Sequence, residues 1–181
     1  VDVIYDLASH DISIASFLLG RWPKGVSAGA GFFLRKDISD TAFINLYYPD
    51  NIFVNIHVSW LDPMKVRTLT CVGDKKMAIW DDLDTSEPIR IFNKGVTKEP
   101  FYSDYGEFQL LPREGEILSP LVKLVEPLRN QNAYFLDCIN RERKLSIDAV
   151  FGCSVTKVLE AIQVSIKNKG RIEEVQDERR Y

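Results

Sequence analysis

The sequence predicts an α+β domain in which an open, mainly antiparallel β-sheet carries helices packed on one face. Three features predict it: helical periodicity near the start, a long central block of alternating apolar residues punctuated by turn signals, and a return of helical periodicity near the end. With 181 residues, 45% hydrophobic and 27% charged, the chain can bury a substantial core, which excludes disorder, collagen and small disulfide scaffolds. No internal repeat or composition break divides it, so residues 1–175 are expected to form a single domain, followed by a frayed tail at 176–181.

The first helix is predicted over 6–19, where Leu7, Ile12, Ala15, Leu18 and Leu19 recur at helical spacings and Gly20 stands at the C-cap position. Trp22-Pro23 breaks it, and 26–34 reads as extended. Segments 41–48 and 52–60 flank Pro49-Asp50-Asn51, a β-hairpin signal. A second strand pair, 66–72 and 75–81, surrounds Gly73-Asp74; 89–92 is a further strand, and 93–120 is looser. Pro127 opens a helix whose apolar face is Leu128, Phe135, Leu136 and Ile139. The last helix, 149–169, carries Val150, Val155, Val158, Leu159, Ile162 and Ile166 and stops at Gly170.

The hairpin carries information beyond its own fold. Ala42, Ile44, Leu46 and Tyr48 with Val54, Ile56, Val58 and Trp60 form one face; Phe43, Asn45 and Tyr47 with Phe53, Asn55, His57 and Ser59 form the other. Neither set contains a Lys, Arg, Asp or Glu, and a face in water normally does. The three helices are needed on the first face, so the second is expected to be a subunit or partner-domain interface.

Charge and motif content narrow the chemistry. Lys and Arg total 23 against 26 Asp and Glu, so no basic surplus exists to neutralise phosphates or anionic lipid, and neither nucleic acid nor membrane is an expected partner. No apolar run approaches the ~18 residues of a membrane span and the first residues lack signal-peptide character, which predicts a cytoplasmic protein. Cys71, Cys138 and Cys153 lie in apolar segments and read as buried reduced thiols; with only His10 and His57 besides, no metal site is expected. Gly29-Ala30-Gly31 lacks the third glycine of a dinucleotide fingerprint and reads as sheet glycine, for which a bulge or close packing is the usual reason. Lys65 and Arg67 read as a solvated strand edge, and His57 as a hydrogen-bonded or interface histidine; Trp60, Trp80 and Tyr47 read as packing residues.

One pair stands out. Asp6 and His10 are four residues apart on the first helix and share a face, so a carboxylate there can orient an imidazole or bind a neighbouring hydroxyl, while the imidazole exchanges a proton near neutral pH. Asp11, about 100° around the helix from His10, suits the helix dipole.

The chain resembles the C-terminal domain of the glucose-fructose oxidoreductase/inositol dehydrogenase (Gfo/Idh/MocA) family. The resemblance lies in Asp6-Leu7-Ala8-Ser9-His10-Asp11, the run from Ser59-Trp60-Leu61-Asp62-Pro63 to Arg67, the run from Gly73-Asp74 to Asp82, Glu126-Pro127-Leu128, the run from Phe135 to Ile139 and the run from Val155 to Ala161. It implies a substrate-binding and oligomerisation domain that follows an N-terminal Rossmann domain, with NAD or NADP bound mainly by that upstream domain and no cofactor-binding residue here. It further implies that Asp6 and His10 bind a sugar or nucleotide-sugar substrate, that His10 is catalytic as the proton acceptor, and that the chain is homo-oligomeric through the sheet. Alone, it should be inactive. Ala8 and Ser13 depart from the family's commonest Asp-x-Gly-x-His-x-x-Asp; the 59–82 stretch looks most like members acting on nucleotide-activated amino sugars. The alternative is a non-catalytic carbohydrate-binding or scaffold module that keeps the sheet interface.

Overall fold

In a computed structural model that describes residues 1–97, 111–113 and 115–176, the elements follow the sequence periodicities closely. In chain order they are a π turn, Ile4–Ala8; α1, Ser9–Leu19; β1, Gly25–Gly31; β2, Thr41–Tyr47; a 3₁₀ turn, Pro49–Asn51; β3, Phe53–Ser59; β4, Thr68–Val72; β5, Met77–Asp81; β6, Ile89–Phe92; β7, Gly95–Thr97; β8, Leu111–Arg113; β9, Ile117–Leu118; α2, Pro127–Asn140; α3, Ala149–Lys167; and β10, Glu173–Glu174. They form two compact units, Val1–Pro63 with Asp137–Tyr181, and Met64–Leu136. Every strand pairing is antiparallel, with sheet orders β10-β1-β2-β3 and β4-β5-β6-β9 and a ribbon of β7 and β8. The α+β class expected from the sequence is the class observed.

In the first unit the chain enters its helix earlier than expected. Asp2 Oδ1 accepts the Tyr5 N–H at 3.0 Å, and the first turn is wound as a π turn before α1 continues it. The buried stripe is Ile4, Ala8, Ile12, Ala15 and Ser16. Leu18, expected on that stripe, is 58% exposed, because six residues past Ile12 place it roughly 240° around the helix. Gly20 ends α1 with φ 63°, the left-handed conformation that glycine adopts without strain.

β1 stops at Gly31, short of the expected 34, because the Asp40 carboxylate accepts the N–H groups of Phe33 and Leu34 (2.5 and 2.8 Å) and draws them out of the strand. Close packing explains Gly31, where a Cβ would stand 2.9 Å from Thr41 Cγ2. The hairpin register runs from Thr41↔Ser59 to Tyr47↔Phe53, so one face presents Ala42, Ile44, Leu46, Ile56 and Val58 to the core. Val158, Leu159 and Ile162 of α3 join that core, with α3 packed on β1 and on α1. By length and composition α3 could cross a membrane, but its apolar stripe is spent on this core. Asp148 caps α3 by accepting the Phe151 N–H at 3.0 Å, and Ser165 Oγ accepts the Ala28 N–H at 3.0 Å, closing part of the outer edge of β1.

Three further expectations need correction. The 93–120 stretch holds β7, β8 and β9, each too short to show alternation. The apolar residues of α2, Leu128, Phe135, Leu136 and Ile139, are exposed, and its buried side chain is Cys138. Of the thiols, only Cys138 is buried; Cys71 and Cys153 are exposed, since β4 is exposed at every residue but Leu69 and Cys153 lies off the buried stripe of α3. Most of the expected frayed tail, 177–181, lies outside the described residues.

Candidate functional site

β-Strand alternation carries the core face of β3 from Ile56 and Val58 on to Trp60, and the π turn packs against β3. Trp60 and Asp6 therefore meet: the indole Nε1–H donates to Asp6 Oδ2 at 2.9 Å. Trp60 keeps 41% of its surface exposed, and Asp6 and His10 are exposed as well. Among the described residues no hydrogen bond or ion pair engages the His10 imidazole; its backbone carbonyl accepts from Ser13 Oγ at 2.9 Å. Asp6 is thus committed to Trp60 rather than to His10. The pair spans the π turn and the first turn of α1, and the side chain that reaches Asp6 comes from β3's end rather than from the helix.

Acid surrounds this end of the unit. Burial pushes the Tyr5 phenol up, and the nearby charges of Glu160 and Asp2 push it further in the same direction. The arrangement offers a fixed carboxylate acceptor, an uncommitted imidazole and an aromatic edge, which together suit a hydroxyl-bearing ligand that gives up a proton.

His57 is not part of this group. It sits on the opposite face of β3, stacked on Phe43 at 4.4 Å with 6° between the rings, its Nε2 3.5 Å from Thr41 Oγ1. That is the hydrogen-bonded sheet histidine the sequence suggests. Along the same open face Asn55 Nδ2 donates to Asn45 Oδ1 at 2.9 Å, Asn45 Nδ2 donates to Ser27 Oγ at 3.2 Å, and Tyr47 packs on Phe53 at 5.6 Å. Phe43 and Phe53 are 57% and 56% exposed. In the second unit Arg67 pairs with Asp82 at 3.4 Å, both partly in solvent.

Grooves among the described residues lie elsewhere. One, of about 400 Å³, lies along β1 and the end of α3 and includes Phe43 and Asn45; another, of about 480 Å³, surrounds the turn between β4 and β5. Neither includes Asp6 or His10, whose surface is open. Sequence reasoning missed Trp60 and Asp40. The signal for Trp60 was its place on the core-facing side of the hairpin, one step beyond the last buried residue, where an indole N–H must find an acceptor. Asp40 carried no pattern.

Residues 2–79 match the family model described as the GFO/IDH/MocA C-terminal domain. No curated protein matches the chain by sequence. Among solved structures, UDP-N-acetylglucosamine 3-dehydrogenase from Acidithiobacillus ferrooxidans is similar over 93% of this chain and 48% of its own, with TM-score 0.75 and 19% identity. Aldose-aldose oxidoreductase from Caulobacter crescentus is similar over 95% of this chain and 47% of its own, with TM-score 0.71 and 18% identity. An oxidoreductase domain protein from Kribbella flavida gives 97%, 51%, 0.74 and 13% in the same order. The chain spans about half the length of these structures, and at such identities the likeness is one of fold. Over residues 2–79 the chain is thus similar to GFO/IDH/MocA C-terminal domains, and over the rest its likeness to these structures is one of fold.

Proposed function

We propose that this chain is the substrate-binding and oligomerisation half of a cytoplasmic NAD(P)-dependent oxidoreductase that oxidises a hydroxyl of a sugar or nucleotide-sugar. The observation that carries the reading is the exposed Asp6–His10 surface in which Asp6 is held as an acceptor and His10 is left uncommitted. Asp6 takes a substrate hydroxyl as hydrogen-bond donor; His10 accepts the proton that the oxidised hydroxyl releases. When bound, NAD(P) would supply the hydride acceptor.

The residues present here do not cradle that cofactor. Gly29-Ala30-Gly31 lies inside β1 instead of opening a helix, and α3 begins on the carboxylate of Asp148, which would repel a pyrophosphate. The cofactor site belongs to an N-terminal Rossmann domain of the longer protein. The uncharged open face of β1, β2 and β3 is the surface through which the protein forms a homo-oligomer.

The test uses the full-length protein with UDP-N-acetylglucosamine and with glucose, each with NAD and NADP. His10→Asn should lower kcat by about 100-fold or more, the ordinary scale of a lost general base, with NAD(P) affinity within about twofold. Unchanged turnover removes His10 from the mechanism, and a wild type that oxidises no sugar favours the scaffold module.

A further inference from the structure

Asp6 and Trp60 are 54 residues apart in sequence and meet because two anchored segments reach one corner. On the strand side, the Trp60 backbone N–H donates to the Asp40 carbonyl at 2.9 Å, and the Asp40 carboxylate, 2% exposed, is itself held by the Phe33 and Leu34 N–H groups. On the helix side, the Val3 N–H donates to the Ser39 carbonyl at 3.1 Å. Asp2 then pins the π turn, accepting the Tyr5 N–H at 3.0 Å with one oxygen and the Gln163 amide at 2.7 Å with the other. Both partners of the Asp6–Trp60 bond therefore hang on the consecutive residues Ser39 and Asp40. Their relative placement is set by backbone and buried groups, not by two loose surface side chains.

We propose that Trp60 is a positioning residue for substrate binding: its indole N–H holds Asp6 Oδ2 so that Oδ1 is presented in a fixed orientation to a substrate hydroxyl. The inference rests on the reading of Asp6 as a substrate-binding residue. An exposed carboxylate otherwise samples several rotamers, and binding must then restrict them; a donor-only indole that engages one oxygen removes that freedom in advance and leaves the other oxygen's lone pairs open. The division of labour is explicit. Asp6 is fixed by Trp60, and His10, with no side-chain partner among the described residues, keeps its ring nitrogens for the proton. Loss of the indole N–H should be felt in substrate affinity and not in the proton-transfer step.

The first readout needs no substrate. In the 181-residue chain labelled with ¹⁵N-tryptophan, the Trp60 indole N–H is assigned by its disappearance in Trp60→Phe. Asp6→Ala should speed its exchange with water by about tenfold or more, whereas His10→Asn should leave it unchanged. Equal exchange in wild type and Asp6→Ala overturns the proposal.

The second readout uses the full-length protein and UDP-N-acetylglucosamine or glucose, whichever it oxidises. Trp60→Phe, which keeps an aromatic ring and removes the N–H, should raise KM by about tenfold with kcat within about threefold. A Trp60→Phe protein that melts near the wild type and shows unchanged KM, or a fall in kcat alone, also overturns it. If Asp6→Ala and His10→Asn themselves leave turnover intact, the underlying site reading has failed and the positioning role falls with it. That failure is distinct, because the exchange experiment reports the Asp6–Trp60 bond independently of catalysis.

Discussion

Tyr48 shows how one polar atom inside the core ties the first unit's stability to pH. Its ring is 6% exposed and its hydroxyl lies 3.1 Å from Ser16 Oγ, joining the end of the hairpin to α1. Burial pushes the phenol above its ordinary value of 10.0, and the Ser16 hydrogen bond offsets part of that rise. The raised folded value means that the neutral phenol's contribution is complete below pH 10.0 and is lost as pH climbs through the folded value. Wild type should therefore lose stability as pH rises above 10.0 and through that raised folded value. Tyr48→Phe should be less stable at pH 7 by about 1 kcal/mol, from the lost hydrogen bond, yet decline less steeply at alkaline pH. Urea unfolding across that range checks it. Parallel decline in both proteins would assign the alkaline loss to other groups, of which Tyr5, also raised, is the first to suspect. At this same scale the spacing and the resemblance marked Asp6 and His10 as candidates, whereas the bond that orients Asp6 left no mark in the sequence. No local pattern connects residue 6 to residue 60; the connection arises only when β3 and the π turn pack.

Among elements, legibility followed length and periodicity. The hairpin of β2 and β3 and the helix α3 emerged nearly residue for residue, because seven-residue alternation and a 19-residue helical period are each longer than chance patterns. The short strands β7, β8 and β9 and the pairing of β10 with β1 were illegible, since two or three residues hold no period. α2 and α3 show why an apolar stripe is not yet a burial. Both carry one, but Ile162 of α3 is fully buried while Ile139 of α2 is 58% exposed. Ile162→Ala should cost about 3 kcal/mol through lost transfer energy and a cavity, and Ile139→Ala about 0.5 kcal/mol or less. Urea unfolding of the chain distinguishes them. A large loss at Ile139 would mean that the face of α2 is buried in the protein in solution.

At the scale of the whole molecule, the absence of charge on one hairpin face is the feature that reaches beyond the chain. The face presents three cross-strand pairs in register: Phe43 on His57, Asn45 on Asn55, and Tyr47 on Phe53. Aromatic rings flank a central amide pair already hydrogen-bonded to each other within the face, which leaves a second copy fewer polar groups to satisfy. A closed two-fold pairing buries the same patch on both copies, so one substitution acts twice. Asn55→Lys places two ammonium groups at the centre of that contact, where neither has a counter-ion on the face, and like charges brought together there oppose association by several kcal/mol. Exposed in a separated protomer, the same lysine costs little, because Asn55 points to solvent and supports no part of the core. The variant should keep its thermal unfolding midpoint within a few degrees when dilute and shift to a smaller species in light scattering. A wild type already monomeric at high concentration, or a variant of unchanged size, would show that this face is covered by something other than a copy of itself.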